Sequence, residues 1–335
     1  MNQDWLLGFI FLLIKLGLVL ILLLTVAAYL TLAERKLLGR MQVRYGPNRA
    51  GTFGLLQPLA DVIKMLTKED TIPQGADRLI FLLAPAVVSA TALLIFAVIP
   101  FGRGWTFLGR PVPMVISDLN VGLLFVMALS SINVYGIALG GWASNSKYSL
   151  LGGVRAVAQM ISYELSLGLS LVPVVMLAGS FSLVDIVDAQ AQYPFILVQP
   201  VALIIFFISA LAESKRIPFD LPEAEAELVA GYHLEYSGMR FGLYFLGEYV
   251  TMFVLGGLMA VFFLGGWRGP LLPPMVWFLI KSLAIVFIMI WMRTTLPRLR
   301  YDQLMDLGWK VLIPAALLNI IVTGGIMNLI GVPGN

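Results

Sequence analysis

Apolar residues run through this chain in long blocks, broken by short polar stretches. Eight near-uncharged blocks stand out, at residues 6–30, 79–101, 119–142, 156–179, 197–213, 241–265, 273–292 and 310–331. A helix of about 20 apolar residues crosses the ~30 Å hydrocarbon core of a bilayer, so the pattern predicts eight transmembrane helices. The fifth block is short for that task. Between the first two blocks the periodicity changes. Phe53, Leu55, Leu56, Leu59, Val62, Ile63 and Leu66 recur at helical spacing, while Gln57, Asp61, Lys64 and Lys68 fall mostly elsewhere. This predicts an amphipathic helix lying along the membrane surface or packed under a partner protein. Tyr45-Gly46-Pro47-Asn48 before it reads as a turn, and residues 180–196 as a small amphipathic helix. No tandem repeat is visible. The fold class that follows is all-α: a polytopic membrane protein forming one integral membrane domain over residues 1–335.

Composition and charge orient this domain. With 59% hydrophobic and 12% charged residues and a mean hydropathy of +0.91, the 335 residues are excluded from forming soluble domains. Seventeen of the 22 lysines and arginines fall on the first, third, fifth and seventh loops and their edges, and only Arg103, Arg110 and Arg268 on the opposite side. Basic loops stay inside. Both termini are therefore expected outside, with loops 31–77 and 214–240 inside as the chain's chemical surface. The pI near 9.1 reflects this bias, and no nucleic-acid partner is expected. The first residues, Met1-Asn2-Gln3-Asp4, do not resemble a cleaved signal. There is no cysteine and one histidine, His233, so thiol chemistry, cysteine-ligated iron–sulfur clusters and bis-histidine haem are excluded. Neither G-x-G-x-x-G nor G-x-x-x-x-G-K-[ST] occurs. Redox or phosphate chemistry coupled to this chain is expected on a partner.

Charge is densest from Glu213 to Tyr236, which holds Glu213, Asp220, Glu223, Glu225, Glu227 and Glu235, six of the 19 acidic residues, and His233. Asp220-Leu221-Pro222-Glu223 fits a capping box with Asp220 at the N-cap. On the helix it would start, Glu223 and Glu227 share a face one turn apart and Glu225 points elsewhere. Like charge and desolvation both raise a carboxyl pKa, so with little water at least one of these groups holds its proton near neutral pH. With ample water the stretch is an ordinary solvated acidic loop. Within the spans lie Glu164, Glu248, Lys281 and Lys15, and Glu213 ends the fifth. Ionisable groups inside a membrane are costly and face a bundle interior or cavity. Each alone reads equally well as a structural hydrogen bond, and Lys15 as snorkelling to the outer surface. Together, three carboxyls and a lysine on different spans predict a chain of exchangeable protons leading from the acidic loop.

AERKLLGRMQVRYGPNRAG, GWASNSKYSLLGGVRA, AQMISYE, PFDLPEAEAELVAGYHLEYSGM, FGLYFLGEYV and RTTLPRLRYDQLMDLGWK resemble the H-type membrane-arm subunits of bacterial NADH:quinone oxidoreductase, respiratory complex I. The resemblance covers nearly the whole chain. It implies an eight-span inner-membrane protein that forms much of a quinone tunnel and takes part in proton translocation. Quinone would be the substrate, with FMN and iron–sulfur clusters only on partner subunits. The implied partners are the hydrophilic subunit carrying the terminal cluster, the large hydrogenase-like subunit and small membrane-arm subunits. By motif position, Arg35, Lys36, Asp61, Arg216, Phe219 and Arg293 match quinone-tunnel residues. Glu164, Glu213, Glu223, Glu225, Glu227 and Glu248 match an acidic path, to which Glu34 and Lys281 are added. The isolated chain is expected to catalyse nothing. Two other readings stand beside this one: an ion-translocating anchor of a membrane-bound hydrogenase or formate hydrogenlyase, and a free-standing secondary transporter. Arg35-Lys36 and the full PFDLPEAEAELVAGYH motif separate the family from the first, and the missing repeat symmetry disfavours the second.

Overall fold

The computed structural model describes residues 2–102, 104–107, 110–112, 114–222 and 225–330. The first helix, α1 (Asn2–Met41), has 40 residues, and at a rise of about 1.5 Å each it is roughly twice as long as a bilayer core is thick. It runs on past residue 30 because Ala33-Glu34-Arg35-Lys36-Leu37-Leu38 are good helix formers with no proline among them. Glu34, Arg35 and Lys36 are thus held on a rigid rod and not in a loop. After the turn comes α2 (Gln57–Thr67), the expected amphipathic helix. Its stripe of Leu59, Val62, Ile63 and Leu66 is exposed.

The helix α3 (Arg78–Ile95) starts where the Asp77 carboxylate accepts from the backbone N–H groups of Leu79 and Ile80. The connector beyond it contains a small antiparallel hairpin, β1 (Trp105–Phe107) with β2 (Arg110–Val112), in which Trp105 faces Val112. Then follow α4 (Gly122–Ala143) and α5 (Lys147–Ala178). Only residues 144–146 separate them, so most of the expected third loop is helix. The short α6 (Leu183–Ala189) is capped by Ser182.

The fifth block forms α7 (Pro200–Glu213), 14 residues long, which is about 21 Å and short of the ~30 Å core. A four-residue helix α8 (Glu225–Leu228) lies in the acidic stretch. The chain ends in α9 (Gly238–Phe263), α10 (Pro274–Thr295) and α11 (Tyr301–Asp306), then a π-helical turn, Leu307–Leu312, that runs into α12 (Ile313–Ile330). Among the described residues, seven helices are long and apolar enough to cross a membrane. The central one is α9, buried along nearly its whole length, with α1, α3, α7 and α10 packed around it.

Tertiary packing decides the fate of the acidic stretch. Lys215, Arg216, Phe219, Asp220, Leu221, Tyr232 and His233 are all buried, so this part is not the solvated loop that hydropathy alone allows. Two contacts with α5 hold it down. The Gln159 amide donates to the carbonyls of Ala212 and Phe219, both at 2.8 Å. At Gly152 a Cβ would meet the Gly231 Cα and the Tyr232 N at 2.7 Å, so only glycine lets the two backbones lie so close. Asp220 pairs with Arg298 at 3.0 Å, the helix described nearby is Glu225–Leu228, and Glu223, the other half of the expected capping box, lies outside the described residues.

Gln159→Leu keeps the bulk but removes the two side-chain hydrogen bonds that tie the loop to α5. The carbonyls of Ala212 and Phe219 keep their backbone donors from Lys215 and Leu221, so the cost is about 0.5–1.5 kcal/mol for each bond lost. The variant is expected to melt at lower temperature in detergent, and trypsin should cut faster after Lys215 and Arg216. Tryptic resistance equal to that of the parent protein would show that the clamp does not hold the loop.

Candidate functional site

The end of the bundle beside the acidic stretch gathers ionisable groups from α1, α9, α10 and the loop after α7. Glu34, on α1, accepts at Oε1 from Arg216 Nη1 at 2.8 Å and also from Arg293 Nη1. Arg216 Nε lies 2.8 Å from Glu248 Oε1, an ion pair in which the N–H is not aimed along the contact. The Arg216 guanidinium also covers the Tyr249 ring, 4.6 Å from its centroid. Side-chain exposure is 2% for Glu34 and 7% for both Arg216 and Glu248, so these charges have left water. A buried ion survives only with close partners, and Arg216 supplies them to two carboxylates at once.

Nearer the surface, Arg35 Nη1 pairs with Asp61 Oδ2 at 2.7 Å, joining α1 to α2. Lys36 donates to the Phe53 carbonyl. Arg35 remains 47% exposed, so this pair forms a polar rim while the Glu34 cluster lies within.

On the other side of Glu248 a small cavity opens, bordered by Asn133, Glu213, Lys215, Glu248 and Thr251. Glu213 accepts from Ser130 Oγ at 2.8 Å and Glu164 from Ser131 Oγ at 2.5 Å. Two successive serines of α4 thereby hold carboxylates from α7 and α5. Lys215 donates to the Tyr232 hydroxyl at 3.1 Å.

Two loop groups beside this line have shifted proton affinity. Burial pushes the Asp220 carboxyl up to about 6, against the opposing pull of Arg298. Burial, helped by the Lys215 charge, pushes His233 down to about 4.

The NADH dehydrogenase family's sequence model matches residues 14–324, a stretch that contains every group just described. The chain belongs to the NADH dehydrogenase family. It is 72% identical to an H subunit of the NADH-quinone oxidoreductase of Syntrophobacter fumaroxidans over 321 residues, covering 96% of this chain and 97% of that one. The protein of the same name from Geobacter sulfurreducens is 66% identical, over 93% of this chain and 95% of its own. The one from Rhizobium meliloti is 52% identical, over 92% and 95%. Family and helices together make the chain a multi-pass membrane protein.

The residues expected from the sequence fall into separate groups. Glu34, Arg216, Arg293 and Glu248 converge, with Glu34 seated between two arginines. Arg35, Lys36 and Asp61 form the rim, and Glu213 and Glu164 follow beyond the cavity. Others stand apart. Phe219 is buried, its ring 5.6 Å from that of Tyr163, so it packs the core. Glu227 is 57% exposed and pairs with Arg155. Glu225 begins α8, but its side chain, like the whole of Glu223, lies outside the described residues. Lys281 donates to the carbonyls of Leu264, Gly266 and Arg268. These follow α9, at the end away from Glu248, so Lys281 caps a helix there and does not join the carboxyls. Lys15 likewise donates to the Val115 carbonyl instead of reaching for a lipid headgroup. Sequence reasoning missed Ser130, Ser131, Asn133 and Lys215. The signal for the first three was a polar run, Ser130-Ser131-Ile132-Asn133, inside an apolar span.

The His233 shift has a defined pH consequence. Its folded pKa lies below the unfolded value, so between about pH 6.5 and 4 the unfolded chain takes up a proton that the folded chain refuses. His233 therefore removes stability as pH falls through this window and is neutral in both states above it. His233→Leu is expected to lower the acid sensitivity of melting, with the gap between variant and parent growing from pH 7 to pH 5. A pH-independent gap would contradict the buried, neutral imidazole.

Proposed function

We propose that the chain is the membrane subunit of a proton-pumping NADH:quinone oxidoreductase of the bacterial inner membrane, binding the quinone head group and coupling its reduction to proton movement. The observation that carries this reading is the succession of ionisable groups from the rim to the far carboxyls. It runs through Arg35 and Asp61, then Glu34 between Arg216 and Arg293, then Glu248, the cavity, Glu213 and Glu164. The names of the relatives support the same reading.

Reduction of a quinone to its quinol takes two electrons and two protons. The electrons would come from a partner subunit's iron–sulfur cluster, because this chain has no cysteine with which to hold one. Arg35 and Lys36 offer donors to the quinone oxygens at the rim, and Asp61 fixes Arg35. Negative charge arriving there pulls on the Arg293 and Arg216 guanidiniums. Because Arg216 is shared, any pull towards the rim weakens its hold on Glu248 and makes that carboxyl readier to take a proton. Glu248, Glu213 and Glu164 then form the proton path, with Glu164 half-buried between α4 and α5 at its far end. Glu223, Glu225 and Glu227 would serve as its acidic surroundings. The hydrophilic subunits of the complex would dock on loops 31–77 and 214–240 at the inner face, with both termini outside, as the basic residues are distributed.

Glu213→Gln and Glu248→Gln keep shape and remove a transferable proton. In vesicles holding the whole complex, each is expected to slow quinone-coupled proton uptake by about a hundredfold, the lower end of what general acid–base groups supply, with the complex still assembled. Normal uptake in both variants would overturn the proton-path reading.

A further inference from the structure

Between Glu248 and Glu213 the proposed path crosses a cavity walled on one side by Val88 and bordered by Asn133, Glu213, Lys215, Glu248 and Thr251. Its volume of ≈ 10 Å³ open to the centre of a water molecule is room for one water. Two acceptors of the residues around it are buried without a hydrogen-bond partner among the described residues, Asn133 Oδ1 and Glu213 Oε2. The other Glu213 oxygen is already held by Ser130. Two acceptors cannot satisfy each other, and each left unpaired carries its full desolvation penalty. One water molecule has the two O–H donors that such a pair requires. Its own lone pairs would face donors that line the same cavity, the Lys215 ammonium and the Thr251 hydroxyl.

We infer that this cavity is a one-water site and that Asn133 is its positioning residue, fixing the water through which a proton passes between Glu248 and Glu213. The inference rests on the proton-path reading and adds to it a residue and a bound water. An amide does not titrate in this range, so Asn133 takes no proton itself. Its oxygen orients one O–H of the water and leaves the second for Glu213. An incoming proton from the Glu248 side takes the lone pair that faced the Thr251 hydroxyl, which rotates away, while the other stays on Lys215. Glu248 gives a proton to the water as the water gives one to Glu213, so the water ends as it began and the carboxylate charge moves from Glu213 to Glu248.

The test uses the whole complex with three forms of this chain. In the parent protein, a map sharp enough to show ordered water should place one within hydrogen-bond reach of both Asn133 Oδ1 and Glu213 Oε2. Asn133→Leu keeps the volume and removes the acceptor, and should slow quinone-coupled proton uptake by about tenfold, equivalent to ~1.4 kcal/mol, with a displaced pH profile. Asn133→Ser keeps an acceptor and leaves space for water, and should recover most of the rate and the parent pH profile. A parent map without this water, or Asn133→Leu with parent rate and pH profile, overturns the inference. If Asn133→Leu fails to assemble, the parent map and Asn133→Ser decide. Should Glu213→Gln pump normally, the proton path itself is wrong. Should Glu213→Gln fail while Asn133→Leu pumps normally, only the water site is wrong.

Discussion

Arg216 holds two carboxylates from different helices in a place where neither charge has water to fall back on. Removing an ion from water costs several kcal/mol even after relaxation, and breaking one partner from a buried pair typically costs about 3–5 kcal/mol. Glu34 on α1 and Glu248 on α9 are therefore tolerable only together with Arg216, and Arg293 adds a second cation to Glu34. The same constraint explains why the loop carrying Arg216 must be buried. Gln159 clamps it and Gly152 admits it, so that the guanidinium reaches the α1–α9 seam. Loop burial, charge pairing and the proposed coupling are one arrangement seen at three scales.

That arrangement gives the membrane part of the molecule its functional asymmetry. Around the C-terminal end of α9, Lys281 is held by backbone carbonyls and Arg268 by Asp188 at 2.9 Å. These contacts close a helix end and lead nowhere. Around the other end each ionisable group touches one that touches another, from Glu34 and Arg293 through Arg216 to Glu248. A line of this kind transmits a change in charge, because shifting one shared cation alters the proton affinity of both its partners.

Much of this was legible in the chain. Seven of the eight apolar blocks became helices of spanning length at nearly the expected places, since hydropathy alone sets where a helix can sit in lipid. The shortness of α7 was legible too. What escaped were features set by tertiary contact. Helix α5 begins at Lys147 because α4 and α5 turn tightly about residues 144–146, although the sequence there is polar. Asp220 pairs with Arg298, which lies far away in sequence and could not be foreseen from spacing. Lys281 and Glu248 look alike as isolated charges in spans, and only the fold shows that one meets carbonyls and the other a guanidinium. Membership of the NADH dehydrogenase family was carried by long motifs, whereas the serine pair Ser130-Ser131 and Asn133 were visible but had no assigned partner until α4 was placed against α5 and α7.

For a change of charge at the rim to reach Glu248, Arg216 must grip Glu34 and Glu248 simultaneously. Lysine carries the same charge as a single compact ammonium and cannot reproduce the forked contacts of a guanidinium. In reconstituted vesicles holding the whole complex, the ratio of protons taken up to quinone reduced should fall in Arg216→Lys, with the pH profile displaced while the complex remains assembled. An unchanged ratio and an unchanged pH profile would contradict the account.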